Sequence, residues 1–356
     1  MLGFSVYLNN ELTKEELNRI EKYTQAGFTG VFTSINLPED DPNNLLKNLN
    51  TLGQICLKNN LHLTLDISSA SMERLNLALD ADGFKTLTDL NVEMLRIDDG
   101  ITNQQIAAAS KNLKLALNAS TIVDADVKEL KAAQADFDNL EAWHNYYPRT
   151  NTGLSVDWFY QKNHWLKENG FTVMAFVPGD TKLRGPVHAG LPTLEDDRGK
   201  NPLSSAIKLA QLDVDKVFLG DPIIKDGTLR QFEEYYRNQV ILLHAQILEN
   251  APDYITKIMH QRADVARDVV RLREGRPWNT VMIPPKNQVV REAGAITLDN
   301  SIAGRYQGEL QLLKRDLPAD KTVNVIGQIV AEDIDLLDNC GANQAVKLCK
   351  IEDGVN

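Results

Sequence analysis

Cysteine is scarce in this chain: Cys56, Cys340 and Cys349 are the three in 356 residues. None falls in a CxxC pair and none has histidines at zinc-site spacing, so the chain carries neither a disulfide framework nor a structural zinc motif. Such usage fits a reducing cytoplasm. No apolar run reaches the roughly 18 residues needed for a membrane-spanning helix. The opening stretch from Met1 to Leu8 has no basic start and no small-residue cleavage site, and it reads as a strand rather than an export signal. Positive charge is also in deficit, with 38 Lys and Arg against 49 Asp and Glu for a net charge of −11. That balance opposes binding to nucleic acid or to an anionic membrane, so any anionic ligand must be captured by a local basic cluster. Gly-rich nucleotide loops, a GxSxG elbow and HExxH are all missing, and neither a metal nor a cofactor is expected.

The residues present describe an ordinary globular protein, 43% hydrophobic and 24% charged. Short β-rich runs alternate with helical patterns as far as residue 237, the signature of a parallel sheet built from βα units. Strands are predicted at 2–8, 30–35, 61–67, 94–98, 113–118, 139–144, 172–177 and 216–219. Helices are predicted at 13–26, 43–59, 71–79, 103–110, 123–134, 156–169, 202–212 and 228–238. Eight units of roughly 29 residues match an eight-fold (β/α) TIM barrel. Thr13 three residues before Glu16 marks a capping box, and Asn169-Gly170 marks a left-handed helix stop. Beyond residue 238, helical periodicity continues over 239–248, and 255–273 fits either a helix or a strand pair. Short strands at 289–292, 295–297, 308–314 and 323–329 then indicate a compact, mostly β domain. The expected division is a catalytic barrel over 1–237 and a β domain over 238–356.

A barrel of this kind builds its site at the carboxyl ends of its strands. Asp66, Asp98, Glu141 and Asp221 are expected to converge there. Carboxylates crowded in a cleft push at least one pKa upward, supplying a neutral acid beside an ionised base, as glycoside hydrolysis requires. The run from Glu141 through Trp143, His144, Asn145, Tyr146 and Tyr147 to Arg149 is chemically crowded for a strand and reads as strand end passing into a site loop. Its aromatics, with Trp158, offer flat faces for a sugar ring, although aromatics also serve as packing. Arg149, Lys182, Arg184 and His188 supply the late-loop basic groups that can hold a phosphate or carboxylate, unless Glu195, Asp196 or Asp197 ties them down.

With these motifs the chain resembles the bacterial 6-phospho-N-acetylmuramidases, a family formerly called outer surface proteins. The resemblance rests on the Glu141 to Arg149 run with Thr152-Gly153-Leu154, on Phe176 to Gly179, on Arg184-Gly185-Pro186 with Gly190 to Glu195, and on Gly220-Asp221-Pro222. It continues through Asp299-Asn300-Ser301, Arg305 to Glu309, Leu317 to Asp320 and Asn324 to Gly327. It implies a TIM barrel with a small cyclophilin-like β domain. The implied activity is hydrolysis of the β-1,4 bond between N-acetylmuramic acid 6-phosphate and N-acetylglucosamine, on a disaccharide phosphorylated during uptake. That in turn implies a cytoplasmic enzyme of cell-wall sugar recycling. Under this reading Glu141, Asp98 and Asp66 are the catalytic carboxylates. His144, Asn145, Tyr147, Arg149, Arg184, Asp221, Asn300 and Arg305 bind the phosphorylated amino-sugar disaccharide. A homodimer is compatible with the sequence, which leaves the oligomeric state open. The competing readings are a metal-dependent sugar-phosphate isomerase or aldolase using the same rim, and a carbohydrate-binding protein without turnover.

Overall fold

Strands apolar on both faces, separated by amphipathic helices, are buried only in a sheet that is covered on both sides or closed on itself. The computed structural model, which describes residues 1–36 and 42–351, takes the closed solution. Eight parallel strands form a barrel: β1 (Leu2–Ser5), β2 (Gly30–Ser34), β3 (His62–Ile67), β4 (Met94–Ile97), β5 (Lys114–Asn118), β6 (Leu140–Trp143), β7 (Thr172–Val177) and β8 (Lys216–Leu219), the last pairing back onto β1. Between them run α1 (Lys14–Gln25), α2 (Pro42–Lys58), α3 (Ser69–Arg74), α4 (Ala81–Thr88), α5 (Asn103–Ser110), α6 (Asp124–Ala132), α7 (Val156–Glu168) and α8 (Pro202–Ala210). The barrel expected from the sequence is therefore the barrel observed. One connection differs: the helix predicted over 71–79 is α3, which ends at Arg74, and α4, which was not predicted, follows it. Asn76 breaks the run with φ of 54°, and Asp80 restarts it by accepting the amides of Asp82 and Gly83.

Local signals act as anticipated. The amide of Thr13 donates to Glu16 at 2.8 Å while the Thr13 hydroxyl accepts the Glu16 amide at 3.2 Å, which starts α1. Gly170 takes φ of 87° after α7, a conformation that costs a glycine little and turns the chain into β7. The barrel interior is filled by Phe32, Met94, Ala116, Trp143, Met174, Phe176 and Phe218. Gly3 and Gly30 leave room for the Phe218 ring; a Cβ on Gly3 would lie 2.2 Å from it.

The chain divides into two compact units, Met1–Lys225 and a second beginning at Asp226. The second contains α9 (Asp226–Asn238), β9 (Val240–Ile247), β10 (Met259–His260), β11 (Val269–Leu272), α10 (Gly275–Trp278), β12 (Ala295–Asp299), β13 (Leu310–Leu313), β14 (Val323–Ile329) and β15 (Ala345–Lys350). Its sheet order is β10-β15-β9-β14-β12-β13-β11, and a bridge from Gln261 to Leu272 brings the two edges together into a nearly closed barrel.

Two expectations are corrected here, and one left open is resolved. Residues 239–248 form the central strand β9, parallel to β15 and antiparallel to β14, rather than a helix. Its apolar start, Val240-Ile241-Leu242-Leu243, is buried on both faces, and such a run carries no period that separates strand from helix. No strand forms over 289–292, where Arg291 alone makes a bridge, to Leu317. The ambiguous segment 255–273 supplies both β10 and β11.

Candidate active site

Side chains of a strand alternate between its faces, so Glu141, Trp143 and Asn145 share the inward parity on β6 and its extension. They stand at different heights. Glu141 is the second residue of β6, in register with Thr172 at the start of β7. Its Oε1 lies 2.6 Å from Lys216 Nζ, and its Oε2 accepts the Trp143 indole N–H at 2.7 Å. Lys216 opens β8, Lys114 opens β5 and His62 opens β3, and with Met1 and Glu93 they surround a recess of about 90 Å³ at the barrel floor. Glu141 therefore belongs to the amino end, not to the carboxyl rim where the sequence placed it. Four residues, roughly 13 Å of strand, separate it from Asn145. Trp143 is 1% exposed and is part of the barrel filling rather than a sugar platform.

At the opposite end the same alternation brings together Asp66 of β3, Arg96 of β4 and Asp98 just beyond it. The Arg96 Nη1 bonds Asp66 Oδ1 at 2.5 Å and Asp98 Oδ1 at 3.3 Å, while Nη2 donates to the Asn145 side-chain oxygen. Asp66 also accepts Ser34 Oγ and Asn36 Nδ2, each at 2.9 Å. Burial raises the Asp66 pKa, and the neighbouring Asp98 adds to this against the opposing pull of Arg96 and Ser34. The Asp98 side chain keeps 40% of its surface open, against 11% for Asp66. Asp98, Asp99 and Asn118 line a recess of about 140 Å³ between the ends of β4 and β5.

The phenols of Tyr7 and Tyr146 are hydrogen-bonded to each other beside this group, and burial raises both of their pKa values. Tyr7 also donates to the carbonyl of Gly220 at 2.8 Å, and the Arg184 guanidinium lies 3.8 Å over its ring. Arg184 reaches this position through its loop. Asp221, fully buried, accepts the backbone amides of Gly179, Arg184 and Leu191 at 2.9, 2.8 and 2.9 Å. Its role is to fold the loop after β7, and both oxygens are occupied in doing so. Gly179 has no space for a side chain there, since a Cβ would approach the Ile223 carbonyl to 2.6 Å.

Arg198, which the sequence reading did not single out, holds this loop to the one after β6. Its guanidinium bonds Glu195 in two-pronged fashion and reaches the carbonyls of Tyr147 and Gly190. Glu195, pulled down to about 2 chiefly by Arg198, also accepts the amides of Asn151 and Gly153. Because Arg198 takes Glu195, neither Arg184 nor the exposed Arg149 has a carboxylate partner among the described residues.

The remaining expected residues separate. His144 points away from the mouth: it is 0% exposed, its Nε2 lies 2.7 Å from Asn163 Oδ1 of α7, and burial pushes its pKa down to about 4. Ser120 Oγ stands 3.3 Å from both His144 Nδ1 and the Tyr147 hydroxyl, so Tyr147 is half-buried above that outer layer. Trp158 lies on α7, outside the barrel mouth. Asn300 and Arg305 belong to the second unit, where Asn300 is buried and saturated by Lys321, Asn324 and Ile302 while Arg305 is exposed. Arg96, Ser34, Asn36 and Tyr7 were missed as ligand candidates. The signal for Arg96 was present: a cation inside an otherwise apolar barrel strand, two residues before Asp98 and so on its face.

The family model described as 6-phospho-N-acetylmuramidase, N-terminal, matches residues 2–234, and its C-terminal counterpart matches 241–349. The chain belongs to the 6-phospho-N-acetylmuramidase family. It is accordingly a glycosidase whose substrate is a phosphorylated sugar. A conserved protein of unknown function from Enterococcus faecalis, known as a crystal structure, is 40% identical with a TM-score of 0.89, over 99% of this chain and 97% of that one. An uncharacterised B. cereus protein is 25% identical with a TM-score of 0.74, over 98% and 99%. No curated protein matches.

Proposed function

We propose that the enzyme hydrolyses the β-1,4 bond between N-acetylmuramic acid 6-phosphate and N-acetylglucosamine, in the cytoplasm, as a step of cell-wall sugar recycling. The observation that carries this reading is the Asp66–Arg96–Asp98 group at the carboxyl ends of β3 and β4. Two carboxylates of different environment are what a glycosidase needs. Asp66, whose proton burial favours, serves as the acid, and the more open Asp98 acts as nucleophile or orients the substrate's 2-acetamido group. Glu141 is left out of the chemistry, because it is paired with Lys216 at the barrel floor.

Both carboxylates bond one nitrogen of Arg96, at 2.5 and 3.3 Å, so their Oδ1 atoms are at most 5.8 Å apart. That upper bound is below the ~6.5–9.5 Å typical of inverting enzymes and admits the ~5–5.5 Å of retaining ones. Retention of the β configuration follows, and proton NMR of the first-formed sugar reads it directly; an α product would sink the assignment. Arg184 and Arg149, which have no carboxylate partner among the described residues, hold the phosphate and the lactyl group, while Asn145 and Tyr147 line the sugar site. The guanidinium of Arg96 bonds both carboxylates and so competes with a divalent ion for them, which favours hydrolysis over a metal-dependent isomerase or aldolase. Incubation with the phosphorylated disaccharide and mass spectrometry of the products is the deciding assay. Release of the two monosaccharides, undiminished by chelator, is expected; an intact disaccharide overturns the proposal.

A further inference from the structure

The second unit contains a recess of about 550 Å³ lined by Arg262, Arg273, Arg276, Pro277, Arg305, Gln307 and Glu309. Four guanidinium groups around one cavity are unexpected in a chain of net charge −11. Like charges so placed repel one another unless something neutralises them. Carboxylates do so only in part. Arg262 pairs with Asp264 at 2.8 Å, Arg273 with Glu274 at 3.0 Å, and Arg276 reaches Glu309 at 3.7 Å. Glu309 is already bonded at 2.8 Å by Arg271, which also touches Asp264. The four lining arginines thus face Asp264, Glu274 and Glu309, with Glu309 shared by Arg271, so positive charge stays in excess. Arg305 has no carboxylate partner among the described residues; its guanidinium bonds the Tyr306 hydroxyl at 2.9 Å and lies 4.9 Å from the Tyr306 ring centre.

The loop carrying Arg305 is shaped for this position. Gly304 and Gly308 take φ of 59° and 87°, and Gly275 packs so tightly that a Cβ would meet Leu310 Cβ at 2.7 Å and the Gly308 carbonyl at 2.9 Å. The Tyr306 ring, also faced by Arg276 at 5.7 Å, gives the rim a flat apolar surface. The volume is that of a small-molecule site, within the ~300–1,000 Å³ range.

We propose that this recess is an anion site in its own right, taking a dianionic phosphate group, free or as the monoester of a small organic molecule. The surplus of positive charge draws an anion, and forked guanidinium groups suit the oxygens of a phosphate. The site is independent of the catalytic assignment at the barrel rim.

The test is isothermal titration of the whole protein with inorganic phosphate, with N-acetylglucosamine 6-phosphate and with N-acetylglucosamine, repeated on Arg305→Ala, Arg273→Ala and, for the barrel mouth, Arg184→Ala. Arg305→Ala should weaken phosphate binding about tenfold or more, the effect of losing a charge-assisted hydrogen bond. Arg305→Lys should recover part of it, and the melting temperature should not move, since Arg305 is exposed. Arg184→Ala should leave this binding event in place. Tighter binding of the sugar phosphate than of phosphate assigns a monoester, equal binding assigns the phosphate group alone, and either supports the site. Phosphate binding unchanged by Arg305→Ala and Arg273→Ala, or abolished by Arg184→Ala alone, overturns it.

Discussion

Arg96 joins two carboxylates that would otherwise repel, and its placement separates the residues that do chemistry from those that only share their type. Asp98 and Glu141 are both carboxylates on inward-facing barrel positions, yet one meets solvent at the mouth and the other meets Lys216 at the floor. Asp98→Asn should therefore reduce kcat by about 1,000-fold without lowering the melting temperature. Glu141→Gln should do the reverse, keeping kcat within a few-fold while costing about 1–3 kcal/mol of stability, as either Lys216 or the Trp143 N–H faces an amide NH2 in place of its acceptor and the ion pair is lost. Denaturant melts and steady-state kinetics on the two variants check this together. His144 carries a separate prediction. Its folded pKa of about 4 lies below the unfolded value of about 6.5, so its contribution is intact above about pH 6.5 and is lost as the pH falls toward 4. A shift of that size in a buried group is worth about 3 kcal/mol, and His144→Gln should flatten the stability profile in that window.

At the level of elements, the barrel was legible because parallel strands are apolar on both faces and their helices carry caps that can be read locally. Thr13 with Glu16 and Asn169 with Gly170 are interactions between near neighbours, so the sequence contains both partners. The site was legible only by class. Position at the strand ends groups Asp66 with Asp98, which the structure brings onto one arginine, but an error in the height of β6 moved Glu141 from floor to rim. That error arose because Trp143, His144 and Asn145 differ in character while following one alternation, inward, outward, inward. The loops after β6 and β7 are held by single charged residues making several backbone bonds. Asp221→Ala removes the acceptor for three amides, and it should lower kcat/KM by about 100-fold while opening the loop after β7 to proteolysis. Limited digestion followed by mass mapping reads the second effect. Cleavage no faster than in the parent protein would show that the loop is held by other contacts.

Across the whole molecule, the acidic net charge leaves basic groups valuable where they gather, at the barrel mouth and in the arginine recess of the second unit. Buried acids respond oppositely to His144. Asp299, raised to about 7 by burial and by Glu309 and Asp320, binds its proton more tightly in the folded protein. Its contribution thus falls away as the pH rises from about 4 through about 7. Asp299→Asn should raise the melting temperature at about pH 8 and change it little at about pH 5; differential scanning calorimetry at both values checks the sign. What the sequence determined by itself is whatever depends on neighbours along the chain or on periodic burial: the eight βα units, their caps, the mostly β character of the second unit and the motifs of the family. Tertiary structure alone decided which end of the barrel each inward side chain faces, that Arg96 couples Asp66 to Asp98, that Arg149 and Arg184 have no carboxylate partner among the described residues, and that 239–248 is a strand. Most of these depend on at least one partner dozens of residues away, and the spacing along the chain carries no trace of that distance in space.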